Sequence, residues 1–234
     1  MVDNLTQHAY QYIHGKLAGG SLAPGAHLSN RMFAKEMGTS LTPIRGAFNR
    51  LVSEGLLEYR PGVGVFVPMP NRREIEELFE LREILECAAS GKVCGSPSAR
   101  AFEEMKCTLT ELEEIIKLCE QAGCSLRREK HLKLICQNDI HFHLALLRAA
   151  GNRRVVETVK DLLIRTQIIC HQVSEEMFNN LPWMANEHRD IRETLHRNDT
   201  EEVRRLLADH IRRECKLALE AHDQHYMDTT RSFA

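Results

Sequence analysis

Residues 28–68 read LSNRMFAKEMGTSLTPIRGAFNRLVSEGLLEYRPGVGVFVP, and the order of local signals in this stretch decides the architecture of the N-terminal third. A short helix is expected at about 29–37 and is stopped by Gly38. Ser40 is a good N-cap for a second helix reaching Glu54. Pro43 is tolerated there because first-turn amides have no intrahelical partner. Gly55 closes that helix. Leu56-Leu57-Glu58-Tyr59, Arg60-Pro61-Gly62-Val63 and Gly64-Val65-Phe66-Val67 then read as strand, turn and strand, the one hairpin with clear signals. Upstream, residues 5–18 read as a helix ended by Gly19-Gly20, followed by the loop Ala23-Pro24-Gly25.

Downstream of Pro70 the pattern changes to helices throughout, expected at about 71–94, 97–122, 126–150, 153–178, 182–196 and 200–224. Ser96-Pro97 has the form of an N-cap followed by proline at the first helical position. Gly123 and Gly151 punctuate, and Asp199 with Glu202 has capping-box spacing. Long helices joined by short connections imply an antiparallel bundle. The fold class expected is therefore mainly α, with a small β-hairpin in residues 1–69 and an all-α bundle in residues 70–234, linked at about Val67–Asn71.

Composition agrees with two globular units. The chain has 234 residues, 43% hydrophobic and 27% charged, with a net charge of −2, long enough for two cores. The start MVDNLTQHAY lacks the basic and apolar segments of a signal peptide, and no apolar run is long enough to span a bilayer, so a cytoplasmic location is expected. Eight cysteines (Cys87, Cys94, Cys107, Cys119, Cys124, Cys136, Cys170 and Cys215) form no CxxC pair and fall singly within helical patterns. They are read as free thiols acting as small core hydrophobes. Only the first seventy residues lean basic, with Lys16, Arg31, Lys35, Arg45, Arg50 and Arg60 against Asp3, Glu36, Glu54 and Glu58.

A helix laid in the major groove presents its N-terminal side chains to base edges while a neighbouring helix and a hairpin grip phosphates. Ser40, Thr42 and Arg45 occupy the first turns of the second helix of the quoted stretch, Arg50 lies further along, and Arg31 opens the preceding helix. Arginine suits the task because its planar fork meets guanine or phosphate oxygens with two hydrogen bonds. A merely solvated basic face is the competing reading on charge alone.

Residues 28–68 closely resemble the winged helix-turn-helix of the GntR family of bacterial regulators. The resemblance lies in Pro24-Gly25 before the helix, Arg31, the Gly38-Thr39-Ser40 turn, Thr42-Pro43-Ile44-Arg45, Leu51 to Leu56, and Arg60-Pro61-Gly62-Val63-Gly64. It implies that Arg31, Ser40, Thr42 and Arg45 touch DNA and that the wing tip with Gly62 and Gly64 enters the minor groove. Four positions depart: Leu41 and Val63 stand where the family usually has arginine, and Asn30 and Gly46 where it usually has glutamate.

In the helix expected at 126–150, the apolar stripe Leu132, Ile135, Cys136, Phe142, Leu146 and Ala150 is interrupted by Asp139 and His143. Four residues apart, these two point the same way. His188 interrupts the stripe Met184, Ile191, Leu195, and His210 interrupts Val203, Leu206, Leu207, Leu217. A buried ionised aspartate is costly unless paired or bound to a metal, and neutral imidazoles are good ligands for zinc, nickel or similar ions. Periodicity leaves metal ligation and a hydrogen-bonded polar core side by side. His141, about 200° around its helix from Asp139, is expected to be exposed.

Residues 72–222 resemble the FCD ligand-binding domain of the FadR subfamily of GntR regulators. Asp139-Ile140-His141-Phe142-His143, Glu187-His188 and Asp209-His210 match the Asp-x-x-x-His helix and two later histidines of its metal-binding members. The resemblance implies a divalent metal held by Asp139, His143, His188 and His210, zinc first and nickel, manganese or iron next. It also implies a pocket for a small organic acid and a homodimer that binds palindromic operator DNA. Arg82 shares the inner face of its helix with Ile75, Leu78, Phe79 and Leu85. It either forks an effector carboxylate or pairs with Glu86 one turn on, and the FCD-like Leu-Arg-Glu context implies effector contact. Two other functions are open: a metal-dependent hydrolase, which lacks an HExxH motif and an evident general base, and a cysteine redox sensor, which lacks a resolving pair.

Overall fold

The computed structural model describes residues 2–94, 99–122, 129–170 and 174–231. The N-terminal head contains α1 (Val2–Ala18), β1 (His27–Leu28), α2 (Asn30–Glu36), α3 (Leu41–Ser53), β2 (Glu58–Arg60) and β3 (Gly64–Phe66). The helical part contains α4 (Arg72–Val93), α5 (Ala99–Ala122), α6 (Glu129–Ala149), α7 (Arg153–Cys170), α8 (Ser174–His196) and α9 (Thr200–Arg231). Among the described residues, no helix is long and apolar enough to cross a membrane.

The head is built around α3. Pro43, Ile44, Ala47, Phe48 and Leu51 are its buried side, and Phe48 meets Phe33 of α2 edge-on at 5.5 Å between ring centres. On the α1 side Gly46 allows close approach, since a Cβ there would lie 2.9 Å from Thr6 Cγ2. The wing differs from expectation in two ways. The ladder gains a third strand, with order β1-β3-β2 and all pairs antiparallel, and His27 opposite Phe66. In addition, β2 begins at Glu58, not Leu56. The amides of Leu56 and Leu57 both donate to the Leu51 carbonyl, completing the end of α3, and are therefore lost to a ladder. The expected turn is present, with Val63 N–H bonded to Arg60 C=O at 3.1 Å and Gly62 at φ 74°, where proline followed by glycine suits a type II turn.

In the bundle α4 lies along α9, α5 along α6, and α8 against both α5 and α9, while α7 packs between α4 and α6. One continuous core runs from Ile13, Leu51 and Leu56 of the head to Leu163, Ile168 and Leu207 of the bundle. Asn71 caps α4 with a reciprocal box to Glu74, whose Asn-x-x-Glu spacing was not singled out in the sequence. The largest departure is α8, which starts at Ser174 and carries Pro182 in its interior, where a start at 182 was expected. An interior proline forfeits one backbone hydrogen bond and crowds the preceding turn, which favours a helix start there, yet α8 continues through it. The helix expected through 178 is correspondingly α7 ending at Cys170, and α9 runs on to Arg231. The Ser96-Pro97 and Gly123 signals lie outside the described residues. Cys94 and Cys136 are buried and Cys87 and Cys215 half-buried, but Cys107 is exposed, against expectation. The side chains of Cys119, Cys124 and Cys170 lie outside the described residues.

Candidate metal centre and DNA-recognition face

Asp139 and His143 come from successive turns of α6, His188 from α8 and His210 from α9, and all four are buried. Their donor atoms lie within 4.8 Å of one another. His143 Nε2 is 3.2 Å from His210 Nε2, and His188 Nε2 is 3.3 Å from the same nitrogen. Asp139 Oδ1 lies 3.6 Å from His143 Nε2 and 3.5 Å from His188 Nε2.

The surroundings orient these groups. Glu86 accepts from His143 Nδ1 at 2.6 Å, Glu187 accepts from His210 Nδ1 at 2.8 Å, and Gln167 donates to Asp139 Oδ2 at 2.8 Å. Protons on the two Nδ1 atoms leave the Nε2 lone pairs facing one another, an arrangement that needs a cation or a proton between them. Phe142 stacks flat on His188 at 3.8 Å and fixes its ring. Asp139 Oδ1 is buried without a hydrogen-bond partner among the described residues. Three imidazole nitrogens and one orphaned carboxylate oxygen form a donor set that fits a divalent ion.

Charge around the cluster follows from burial and close partners. Burial, reinforced by the Glu214 carboxylate, pushes Asp139 up to about 6. Glu86 is held down to about 2: its burial opposes charge, but His143 and Arg82 more than offset it. Burial and the neighbouring His210 and His143 hold His188 well below the usual histidine range, keeping its ring neutral and its lone pair available. Arg82 is buried and donates to Glu86 at 2.8 Å, Glu214 at 3.0 Å and Thr166 at 3.3 Å, while its Nη2 has no partner among the described residues. Of the two sequence expectations for Arg82, the pair with Glu86 is present, and through Glu86 the guanidinium stands beside the donor cluster. Glu214, one turn beyond His210, places Oε1 3.7 Å from His210 Nε2. Sequence reading named Glu86 only as a partner for Arg82 and Glu187 only as the neighbour of His188, without their contacts to His143 and His210, and it missed Gln167 and Glu214. His141 is exposed.

At the other end of the molecule Arg31, Ser40, Thr42 and Arg45 are all exposed. Ser40 holds the N-cap position of α3 with extended backbone, but its hydroxyl makes no capping bond. Thr42, Arg45 and Asn49 share one exposed stripe at spacings of three and four. Asn49 was not singled out, although asparagine is a standard reader of adenine. Arg50 is differently engaged: it bonds Glu54 at 2.9 Å and Gln7 at 2.8 Å and lies 3.8 Å from the centre of the Tyr10 ring. Gly62 is exposed at the wing tip. Gly64 lies against β1 at φ 135°, and a Cβ there would sit 2.6 Å from His27 Nε2. Thiolate formation is disfavoured at Cys87 and Cys136, each pushed up to about 12 by burial, which is unhelpful to a redox sensor.

Residues 5–67 match the family described as bacterial regulatory proteins, gntR family, and residues 77–213 match the FCD domain. A probable D-xylose utilization operon transcriptional repressor of Paenarthrobacter nicotinovorans is 26% identical over 200 residues, covering 86% of this chain and 82% of the relative. An HTH-type transcriptional regulator from an unstable DNA locus of Streptomyces ambofaciens is 31% identical over 196 residues, covering 82% and 75%. The structure of Escherichia coli McbR/YncC superposes with a TM-score of 0.80 at 23% identity, covering 92% of this chain and 97% of that one, which shows the same fold. These families and relatives are transcription regulators, not enzymes, and this sets aside the hydrolase alternative. The chain belongs to the GntR family of bacterial transcription regulators, as a DNA-binding protein of the FadR-like group that couples a GntR helix-turn-helix to an FCD domain.

Proposed function

We propose that this regulator binds DNA under the control of a metal centre that receives a small organic acid. Residues 1–69 serve as the DNA-binding unit and residues 70–234 as the effector-binding and dimerisation unit. Asp139, His143, His188 and His210 hold the ion, with zinc first on the chemistry of three imidazoles and one carboxylate. Bound there, the ion supplies a Lewis-acidic receptor for an oxygen ligand. The single observation that carries this reading is the convergence of four donor atoms, one of them Asp139 Oδ1, which is buried without a hydrogen-bond partner among the described residues.

Arg82 supplies the counter-charge. Its Nη2, without a partner among the described residues, can donate to one carboxylate oxygen of an effector, and Glu214, its most exposed carboxylate partner at 15%, is the group that an incoming carboxylate would displace from Arg82. On DNA, Arg31, Ser40, Thr42 and Arg45 contact bases and phosphates, with Gly62 and Gly64 shaping the wing tip and Arg50 supporting the helix end. Two copies, paired through the helical domain in the cytoplasm, present two recognition helices to a palindromic operator.

The test is a thermal-shift screen of organic and sugar acids on zinc-loaded protein, followed by operator binding with each hit. A hit should lose its effect in His188→Ala and His210→Ala. By reciprocity, an acid that weakens operator binding by a given factor must itself bind more weakly by that factor when operator is present. A full effector response in verified metal-free protein refutes the metal's role.

A further inference from the structure

Three consecutive residues of α7 each hold a different part of the machinery. Arg165 Nη2 donates to the backbone carbonyl of Glu54 at 2.7 Å. Glu54 is the C-cap of α3, the recognition helix. Thr166 Oγ1 accepts from Arg82 at 3.3 Å. Gln167 donates to the candidate metal ligand Asp139 at 2.8 Å. Thr166 and Gln167 are buried and Arg165 is half-buried. Successive helical residues point about 100° apart, so one turn reaches both inward to the metal cluster and outward to the head.

The contact at Glu54 is chemically specific. The last carbonyls of a helix lack intrahelical partners and carry the negative end of its dipole, so a guanidinium there is doubly favoured. Gly55, which follows, has φ +69°, and a Cβ on it would lie 2.7 Å from the same Arg165 nitrogen. The chain therefore has a residue without a side chain where the guanidinium needs to pass. The Glu54 side chain is also fully occupied, by Arg50 at 2.9 Å and by the Tyr10 hydroxyl at 2.8 Å. Arg50 in turn lies on the Tyr10 ring. Arg165 thus grips a braced end of α3, opposite the end that carries Ser40, Thr42 and Arg45.

We infer that Arg165 is a positioning residue for DNA recognition: through the Glu54 carbonyl it sets the attitude of α3 on the bundle, and with Thr166 and Gln167 it makes α7 the element that transmits the state of the metal cluster to the recognition helix. The transmission rests on the metal-centred reading proposed above; the positioning does not. A change at Asp139 moves Gln167, and a rigid helical turn carries the movement to Arg165. One turn of α7 holds both groups, so a movement of that turn displaces both.

The experiment measures operator affinity of the full chain with and without zinc for wild type, Arg165→Ala, Arg165→Lys and Gly55→Ala, together with zinc affinity by chelator competition. Wild type should change its operator affinity at least threefold on zinc loading. In Arg165→Ala and Gly55→Ala that ratio should fall to within twofold of one while zinc affinity stays within twofold of wild type, and Arg165→Lys should retain part of the ratio. An undiminished ratio in folded Arg165→Ala overturns the inference. If wild type itself shows no zinc response, the metal-centred function fails and the transmission with it. The positioning role is then decided by metal-free affinity: a change of threefold or more in Arg165→Ala supports it, and equal affinities overturn it. Unchanged circular dichroism separates these results from loss of fold.

Discussion

His143 Nε2 and His210 Nε2 stand 3.2 Å apart although the residues are separated by 67 positions, and each ring turns its other nitrogen to a carboxylate, Glu86 and Glu187. Each imidazole is thus oriented by a hydrogen bond to a carboxylate of the protein itself. The arrangement resembles the carboxylate–histidine pairs that raise ligand basicity at metal sites.

Zinc binding should therefore stabilise the fold strongly. At a free concentration one hundred times the dissociation constant, the gain is about 2.7 kcal/mol. In a chain of this size that corresponds to a rise in Tm of roughly 5–11 °C. Differential scanning fluorimetry should show the rise, its reversal by a chelator, and its absence in His188→Ala and His210→Ala. A rise of equal size in those variants would place the ion elsewhere.

Arg45 and Arg50 should behave differently on operator DNA. Arg45 is exposed on the same stripe as Thr42 and makes no ion pair among the described residues, so Arg45→Ala should weaken operator binding by about 1–3 kcal/mol. Arg50 already serves Glu54, Gln7 and Tyr10. Arg50→Ala should cost less affinity and, with an exposed ion pair lost, under about 1 kcal/mol of stability. Titrations across salt concentrations separate the roles, since loss of a phosphate contact lowers the salt slope by about one. Equal affinities of wild type and Arg45→Ala at every salt concentration would remove Arg45 from the interface.

Tyr10 gives the fold an alkaline limit. Burial, with its hydrogen bond to Glu54 second, pushes its hydroxyl up to about 12 from the ordinary 10.0. The folded state thus favours the protonated form more than the unfolded chain does. Its contribution is fully present below pH 10 and is lost as pH rises from about 10 towards 12. Denaturant midpoints measured over that range should fall more steeply for wild type than for Tyr10→Phe. Parallel curves would show that the shift is absent.

A dimer imposes its two-fold axis on the DNA site. Two recognition helices should protect matching half-sites about one helical turn apart, visible as symmetric footprints on a palindrome, with sedimentation showing two chains per site. Protection of one asymmetric half-site by a single chain would contradict dimeric recognition.

What the sequence determined by itself was local: the helix–turn–helix order, the Arg60-Pro61-Gly62-Val63 turn, and the polar residues that interrupt apolar stripes. Asp139 and His143 could be paired on paper because an interval of four residues fixes their common face whatever the helix packs against. His188 and His210 were legible as misplaced histidines for the same reason. Tertiary structure alone decided the rest. That Glu86 meets His143, Glu187 meets His210 and Gln167 meets Asp139 depends on how α4, α6, α7, α8 and α9 slide past one another, a register with no local periodicity to announce it. Likewise β1 is a strand only because β3 offers Val65 and Phe66 to it, and Leu56 leaves the strand only because Leu51 claims its amide. The bond from Arg165 to Glu54 joins residues 111 positions apart. It exists because one helix end leaves a carbonyl unpaired and the packing of the head on α7 brings a guanidinium to it.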